Sequence, residues 1–472
     1  MRPHRGPALA VIVLVLVGAW IVDSRVDRPA PAVSDEVQTP MAARPGARSS
    51  AWFCTGATSN TDAAANGTVV VANAASKPLT GTMTVVPSEG DPKQLNLLVP
   101  ATGRAVVRLV DVVKAPYASA LVELDGGEAA VELTAEGPLG ETVTPCASSA
   151  STTWFFSEGI TTRDALEVIT LFNPFPEDAV VDLVFNTEEG EVTPQALTGL
   201  SVRGRGMTAI TVGEHVQRRE SVATRISARA GRLVASRLQT FDGSAGRKGM
   251  SVGLGAAAPG DAWFFPEGFL ADGLTERFQI FNPSTQEAEV RVELALEQGE
   301  AEPIVLTVPP ESRITLAAND EARIPKNVAH AVTVRSTGEV DVVVERTIDA
   351  VSPAPRTGLS ITMGARVPAT RWIVAAGQSD DANETWLVLH NPGTRAARIT
   401  VTVLDGTAHV PPSLDGLVVG PRQRRAVKLA NSVRPGATPM LVSSDTAIVV
   451  ERDSYKTRTI GTAMGPGIPL RV

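Results

Sequence analysis

Aromatic residues, histidine and cysteine are all scarce in this chain of 472 residues. Phe, Trp and Tyr together make up 4% of the sequence, so a hydrophobic core has to be built mainly from Val, Leu, Ile and Ala. The five histidines do not recur at matching places, and no serine-hydrolase elbow, zinc-protease helix, phosphate-binding loop or dinucleotide fingerprint is present. We therefore expect no catalytic residues, no cofactor and no enzyme activity.

Basic residues are in deficit as well, because 43 Lys and Arg stand against 51 Asp and Glu, for a net charge of −8. Binding to nucleic acid needs a basic face, so no nucleic-acid partner is expected. Asp380, Asp381 and Glu384 offer oxygen ligands for a hard cation in one short stretch. They lack the spacing of a calcium loop, and an exposed turn is the preferred interpretation over a weak metal site.

The N-terminus has the pattern of a membrane signal. Arg2 and Arg5 precede an unbroken apolar stretch from Ala8 to Val22, and no small-residue cleavage site follows directly. This predicts an uncleaved single-pass anchor over residues 1–23, with everything beyond about residue 23 outside the cytoplasm. Secretion after cleavage is the alternative. Residues 24–50 are rich in Pro and Ala and predict a semi-extended linker.

What the sequence has in abundance is internal repetition. Trp-Phe-Phe-x-Glu-Gly occurs twice, and Trp154, Trp263 and Trp372 are evenly spaced (263 − 154 = 372 − 263 = 109). Trp52 starts a related copy 102 residues before Trp154 (154 − 52). Four tandem modules are predicted, at residues 51–149, 150–258, 259–367 and 368–472.

Each module reads as seven or eight short strands separated by turn residues. Residues 289–297 place Val290, Val292, Leu294 and Leu296 at every second position, which is typical of a strand with one buried face. We predict an all-β fold of four immunoglobulin-like β-sandwich modules after the anchor helix. A propeller blade needs only four strands and is too short to account for the repeat.

An asparagine recurs after the second predicted strand of every module and in three of them precedes proline. Its side chain can bind the turn backbone, while proline prevents the strand from continuing. The repeated Trp and Asn are therefore interpreted as structural markers; they are Trp52, Trp154, Trp263, Trp372, Asn73, Asn173, Asn282 and Asn391.

A Glu and an Arg recur together at equal spacing. Glu158 goes with Arg237 and Glu267 with Arg346 (237 − 158 = 346 − 267 = 79). Module one lacks both residues. We predict a structural ion pair inside each of modules two and three, because losing one partner of a buried pair is costly while losing both can be neutral. A catalytic acid beside an electrophilic arginine is the alternative.

Other basic positions are less regular. Module four keeps Arg452 but has Ala376 in place of the glutamate. A second arginine follows the fourth strand in modules one, three and four, as Arg104, Arg313 and Arg424. These arginines form either a row of basic tips or ordinary solvated hairpins, and the second interpretation is preferred.

The only two cysteines, Cys54 and Cys146, fall in module one. Module two has Phe156 and Gly255 at the matching places, so a Phe-over-Gly contact is replaced by two cysteines. This predicts a disulfide that joins the first and last strands, in keeping with export to an oxidising compartment.

The Trp-Phe-Phe-x-Glu-Gly start, the Phe-Asn-Pro turn and the late Val-Val-Glu-Arg strand (343–346 and 449–452) resemble a known actinobacterial family. That family contains exported, membrane-anchored proteins and is catalogued only as a domain of unknown function, number 5719. The resemblance implies export and no catalytic residue.

The expected function is a non-enzymatic, membrane-anchored scaffold or adhesion protein of the cell envelope. Its partners would be the membrane, through the N-terminal helix, and a cell-wall polymer or an envelope protein. The first alternative is a glycan or wall-polymer receptor that uses inter-module grooves, although Trp386, on a predicted strand, is expected to pack rather than stack on sugar. The second is an envelope enzyme with an unrecognised site.

Overall fold

Short strands and tight turns make up the architecture, as the alternation of apolar and polar residues predicts. The computed structural model describes residues 39–60, 64–297, 301–437 and 439–471. Within these ranges the chain forms 36 strands, β1 to β36, and six 3₁₀ helices of three residues each. The prediction of an all-β fold is confirmed.

The strands fall into four consecutive groups. Module one contains β1 (Ser50–Ser59), β2 (Asn66–Asn73), β3 (Leu79–Pro87), β4 (Lys93–Val99), β5 (Gly103–Arg108), β6 (Ala115–Leu124), β7 (Ala129–Gly137) and β8 (Gly140–Pro145). Module two contains β9 (Thr153–Phe156), β10 (Ala165–Asn173), β11 (Ala179–Thr187), β12 (Gly190–Val192), β13 (Leu200–Val202), β14 (Gly206–Thr211), β15 (Val222–Ala230), β16 (Val234–Asp242) and β17 (Lys248–Leu254).

Module three contains β18 (Ala262–Phe265), β19 (Leu274–Asn282), β20 (Ala288–Leu296), β21 (Ile304–Val308), β22 (Ser312–Ala317), β23 (His330–Ser336), β24 (Val343–Ala350) and β25 (Gly358–Met363). Module four contains β26 (Ala369–Val374), β27 (Gln378–Ser379), β28 (Asn383–Asn391), β29 (Ala397–Leu404), β30 (Ala408–His409), β31 (Leu417–Val419), β32 (Gln423–Lys428), β33 (Gly436–Ala437), β34 (Met440–Lys456), β35 (Thr462–Pro466) and β36 (Ile468–Pro469). The 3₁₀ helices are Leu109–Asp111, Gln195–Leu197, Val212–Glu214, Ala318–Asp320, Pro412–Leu414 and Leu429–Asn431.

Modules two and three each build two separate sheets with one recurring strand order, whereas the corresponding sheets are joined through β1 and β2 in module one and through β34 in module four. In module three the first sheet has the order β18-β23-β20-β21 and the second the order β22-β19-β24-β25. All of these neighbours are antiparallel. Residues facing inward from both sheets form a shared core, as with Val290 and Val292 of β20, which are fully buried while Glu289 and Arg291 between them are exposed.

The four marker tryptophans belong to these cores, since each is at most 2% exposed. Three of them also tie the first strand of the module to the late segment that leads into the second sheet. The indole Nε1 donates to the carbonyl of Leu233 from Trp154 at 2.9 Å, and to that of Val342 from Trp263 at 2.8 Å. Trp372 donates in the same way to Ile448 at 3.0 Å.

The repeated asparagine holds the turn that follows the second strand. In module three, Nδ2 of Asn282 donates to the carbonyls of Gln286 at 2.7 Å and Val308 at 3.0 Å, while its Oδ1 accepts from the amide of Ser284. The same three types of bond recur around the other marker asparagines. A buried amide with this many backbone partners acts as a clamp between two strand ends.

The predicted disulfide between Cys54 and Cys146 is confirmed, and it closes a separation of 92 residues. The matching contact in module two is the one that the sequence indicates. A Cβ at Gly255 would lie 2.8 Å from Cζ of Phe156, so only glycine leaves room for the ring.

The modules close into a ring. One late strand from each module, β8, β17, β25 and β35, contacts the next in cyclic order, and β35 of module four touches β8 of module one. Side chains connect these strands, because Oγ of Ser251 donates to the carbonyl of Ile361 at 3.1 Å and the amide of Val252 donates to Oγ1 of Thr142 at 3.2 Å. The described residues, from 39 onward, accordingly belong to one compact unit rather than to a string of separate modules.

The N-terminal predictions need correction. Residues 1–38, and with them the predicted anchor over 1–23, lie outside the described residues. Among the residues that the structure does describe, no helix is long and apolar enough to cross a membrane. A span needs about 20 residues, whereas the helices here have three. The expectation of a single-pass membrane protein is corrected accordingly, because the structure does not support it.

The described end of the predicted linker is also not a free tether. Ala42 is fully buried and bridges Leu470, with its amide bound to the carbonyl of Pro469 at 2.8 Å and its own carbonyl bound by Arg471. The Pro- and Ala-rich composition predicts a linker without a buried face. Ala42 can nevertheless be buried, because both of its backbone groups are hydrogen-bonded.

Candidate functional site at the module boundaries

A tight turn follows the marker tryptophan and carries the repeated glutamate. In module two, a Cβ at Gly159 would lie 2.6 Å from both the carboxylate of Glu167 and the carbonyl of Val222. Glycine is therefore required after Glu158. The turn directs the backbone amides of Ser157 and Glu158 out of their own module toward the next one.

The carboxylate that receives these amides belongs to module three. Glu345 accepts from the amides of Ser157 and Glu158, each at 2.8 Å. It also pairs with Arg237, with Nη2 and Oε1 2.8 Å apart and both side chains 1% exposed. Burial opposes the charge of Arg237, but Glu345 outweighs it and the pKa of Arg237 is raised.

The side chain of Glu158 crosses the same boundary in the same direction. Its Oε2 lies 2.9 Å from Nη2 of Arg313 in module three, whereas Arg237 binds only the backbone carbonyl of Glu158. The predicted ion pair inside the module is thus corrected to two pairs between modules. The reason is geometric, because the turn leaves the carbonyl of Glu158 beside Arg237 and turns the carboxylate outward.

The boundary between modules three and four repeats this arrangement. Glu451 pairs with Arg346 and accepts from the amide of Glu267 at 3.1 Å. The carboxylate of Glu267 pairs with Arg424, and the backbone carbonyl of Glu267 binds Arg346. Arg313 and Arg424 are therefore buried ion-pair partners and not the solvated hairpin residues that the sequence suggested.

At the boundary that closes the ring, half of the arrangement is kept. Glu132 of module one accepts from the amide of Ala376 at 2.7 Å and lies 3.2 Å from Nη1 of Arg452. Ala376 has no carboxylate where Glu158 and Glu267 have one. Arg104 stands at the position of Arg313 and Arg424, and within the described ranges it takes part in no ion pair.

The remaining boundary, between modules one and two, is neutral at these places. Thr55 stands near the position of the repeated glutamate and donates to Oγ1 of Thr170 at 3.1 Å. Met207 replaces the second arginine and accepts from Oγ of Ser119 at 3.4 Å. Both members of each charged pair are absent together here, as expected for pairs that are costly to break singly.

Two further buried carboxylates lie behind the turns. Burial raises the pKa of Glu167 to about 8; Arg237 opposes the rise, while Glu158 and Glu345 add to it. In module three the matching Glu276 contacts His330, with Nε2 and Oε2 2.9 Å apart and no exposure of either side chain. Burial disfavours the charge of His330, but Glu276 outweighs it and raises the pKa of His330.

A cavity of about 340 Å³ lies between modules three and four. Trp386 and Tyr455 line it, and the guanidinium of Arg356 lies 3.8 Å from the ring centroid of Tyr455 and 5.8 Å from that of Trp386. Within the described part of the chain, neither oxygen of the buried Asp453 has a hydrogen-bond partner. Burial first, and Glu451 next, hold the pKa of Asp453 well above its ordinary value.

The acidic stretch in module four forms a turn. Oδ1 of Asp380 accepts from the amides of Ala382 at 2.8 Å and Asn383 at 2.9 Å. Among the residues that the structure describes, no three His, Cys, Asp or Glu side chains are grouped closely enough to hold a metal.

A model of a family of unknown function, DUF5719, matches residues 127–304 and 238–457. Together the two regions cover more than half of the chain. The chain belongs to the DUF5719 family. The two regions matched in this DUF5719 protein start one module apart (238 − 127 = 111). The first starts just before β7 of module one, and the second starts within β16 of module two.

Solved structures resemble this DUF5719 protein only distantly. The Thermotoga maritima protein 1070 shares 22% identity, with 23% of this chain and 94% of that chain covered and a TM-score of 0.21. The Anabaena sensory rhodopsin transducer shares 26% identity over 19% of this chain and 82% of that chain, with a TM-score of 0.18. A tetra-tandem repeat from the extending region of a large adhesion protein shares 11% identity, with 91% of this chain and 100% of that chain covered and a TM-score of 0.11. A comparison with curated proteins found no match. Such low TM-scores carry no argument about function.

The carboxylates that cross the boundaries were missed at the level of sequence, although a signal exists. Glu345 and Glu451 immediately precede the recurring arginines of their modules, and Glu132 precedes Leu133. Adjacent strand residues point to opposite faces, so such a Glu and Arg serve different neighbours. A glutamate stands there only in modules whose predecessor carries the arginine, which is the pattern of a pair between modules.

Proposed function

We propose that this DUF5719 protein is a non-catalytic interaction protein, built as a closed ring of four β-sandwich modules. One observation carries the proposal: the recurring Glu and Arg residues are engaged in reciprocal buried pairs at the boundaries. Groups held in this way stabilise the relative position of the modules. They are not free to serve as a general acid or to polarise a substrate.

The surface that the ring offers supports this proposal. Leu98, Val305 and Val418 are exposed by 65%, 58% and 48%. Each lies on the fourth main strand of its module (β4, β21 and β31), which within the described ranges pairs with one neighbouring strand and leaves its other edge open. Exposed apolar residues on a strand with one open edge favour the addition of a strand from a protein partner.

Affinity capture with the full chain tests the proposal. The wild-type protein is expected to retain one defined protein partner, and the triple variant Leu98→Lys, Val305→Lys, Val418→Lys is expected to lose it. Leu166→Lys is the matched control, because Leu166 is exposed but lies on the inner strand β10. Equal retention by the triple variant and the control would contradict a role for these edges.

A second candidate function is a receptor for a neutral, hydroxyl-rich ligand such as a glycan, in the cavity between modules three and four. The observation that favours it is Asp453, which is buried and has no hydrogen-bond partner within the described ranges. Burial raises the pKa of Asp453 well above its ordinary value, which favours the protonated form. A protonated carboxyl both donates to and accepts from a hydroxyl group. Arg356 covers the aromatic rings, so hydrogen bonds rather than ring stacking would hold the sugar.

Titration with a panel of oligosaccharides, followed by NMR chemical shifts, separates the two candidates. Asp453→Leu is expected to abolish binding of the glycan. The fold tolerates leucine at this place, because Leu238 occupies it in module two. Unchanged binding in this variant would refute the second candidate and leave the first untouched.

A further inference from the structure

One boundary of the ring carries an arginine that lacks the glutamate partner present at the two sister boundaries. Arg313 and Arg424 pair with Glu158 and Glu267 of the preceding module. Arg104 follows the fourth strand of module one in the same way, but the preceding module in the ring presents Ala376. Within the described ranges Arg104 has no ion pair.

A cavity of about 220 Å³ occupies this boundary, and Arg104 and Ala376 both line it. It is open to solvent, because Val106 on its wall is 48% exposed. At the two sister boundaries, the glutamate side chain extends from the position of Ala376 toward the arginine. The space therefore lies where those carboxylates lie.

The other charged side chains around the cavity are in ion pairs, and together they carry one excess negative charge because one lysine pairs with two glutamates. Arg452 pairs with Glu132 at 3.2 Å. Lys456 pairs with Glu136 at 3.1 Å and with Glu141 at 3.3 Å.

Within the described ranges no carboxylate pairs directly with Arg104 to stabilise its positive charge. Burial lowers the pKa of Arg104, and repulsion from Arg452 lowers it further, with Glu132 opposing both. An anion beside Arg104 would remove this penalty, since a charge-assisted bond to a guanidinium is among the stronger polar contacts.

We propose that the cavity between modules four and one binds a small carboxylic acid, whose carboxylate pairs with Arg104 where a glutamate does so at the sister boundaries. Glu136 and Glu141 line the same cavity and favour a single negative charge over a phosphate dianion. A planar carboxylate also matches the fork of a guanidinium. The site is independent of the edge strands and of the cavity at Asp453.

The direct test titrates the full chain with acetate and with lactate in a buffer free of carboxylates, and follows binding by NMR. Acetamide and inorganic phosphate serve as neutral and dianionic comparisons. We expect carboxylate binding to the wild-type protein, and a loss of about tenfold or more in Arg104→Gln, as expected for removal of a hydrogen-bonded charge.

The decisive variant is Ala376→Glu, which rebuilds the sister arrangement. It should abolish acetate binding and raise the thermal unfolding midpoint without ligand, because the new carboxylate occupies the site itself. Ala382→Glu, on an exposed turn of the same module, is the matched control and should leave both properties unchanged. Acetate binding that survives in Ala376→Glu or in Arg104→Gln, or equal binding of phosphate, would overturn the proposal.

Discussion

The buried carboxyl of Glu167 should make the stability of the ring depend on pH. Glu167 lies on β10, and within the described ranges neither of its oxygens has a hydrogen-bond partner. Its pKa is about 8 in the folded protein against an ordinary value of 4.5. An acid whose pKa is raised on folding costs nothing below its unfolded pKa, and the cost grows as the pH rises toward the folded value.

The magnitude follows from the size of the shift. Each pKa unit corresponds to about 1.4 kcal/mol, so ionisation of Glu167 costs the folded state roughly 5 kcal/mol above pH 8, and roughly 3 kcal/mol at pH 7. Glu167→Gln keeps the shape of the side chain and removes the titration. The variant should therefore be more stable than the wild type by these amounts, and close to it near pH 5.

Urea denaturation followed by tryptophan fluorescence measures the difference at about pH 5 and about pH 9. Glu177→Gln removes an exposed carboxylate from the same module and serves as the control for a general effect of charge. A difference between Glu167→Gln and wild type that is the same at both pH values, or a variant less stable at pH 9, would refute the reasoning.

Three further expectations concern the contacts that hold the ring. Arg237→Met should lower the free energy of unfolding by about 3–5 kcal/mol by leaving Glu345 unpaired, and adding Glu345→Leu should recover part of that loss; a double-mutant cycle without coupling would contradict the pair. Replacing Cys54 and Cys146 by alanine should lower stability by up to about 4–5 kcal/mol, checked by denaturation with and without reductant, and reductant should not affect the variant. Asn282→Ala should cost about 2–3 kcal/mol through lost backbone hydrogen bonds, whereas a cost below about 0.5 kcal/mol would argue against the clamp.

Much of each module could be predicted from sequence because its signals are local. The alternation around Val290 and Val292 gave a strand with one buried face. The recurrence of Asn282 in every copy gave a clamped turn. The pairing of Cys54 with Cys146 followed from their places in the repeat, where neighbouring copies have Phe and Gly.

The boundaries were harder, because equal spacing within a repeat does not say which copy a side chain reaches. Glu158 and Arg237 recur together, and this joint recurrence correctly predicts that both take part in buried interactions. The carboxylate meets Arg313 of the next module, however, and Arg237 meets Glu345. Only the direction of the turn at Gly159 separates these possibilities, and that direction is a property of the folded backbone.

The neutral boundary between modules one and two is held by apolar packing. Phe53 and Ala147 of module one belong to the buried core of module two, and Thr55 and Thr170 add one neutral hydrogen bond. At each of the other three boundaries, separation strands a charged group from its buried partner. The joint between modules one and two should therefore respond least to changes of pH and salt, while the other three supply the electrostatic part of the cohesion of the ring.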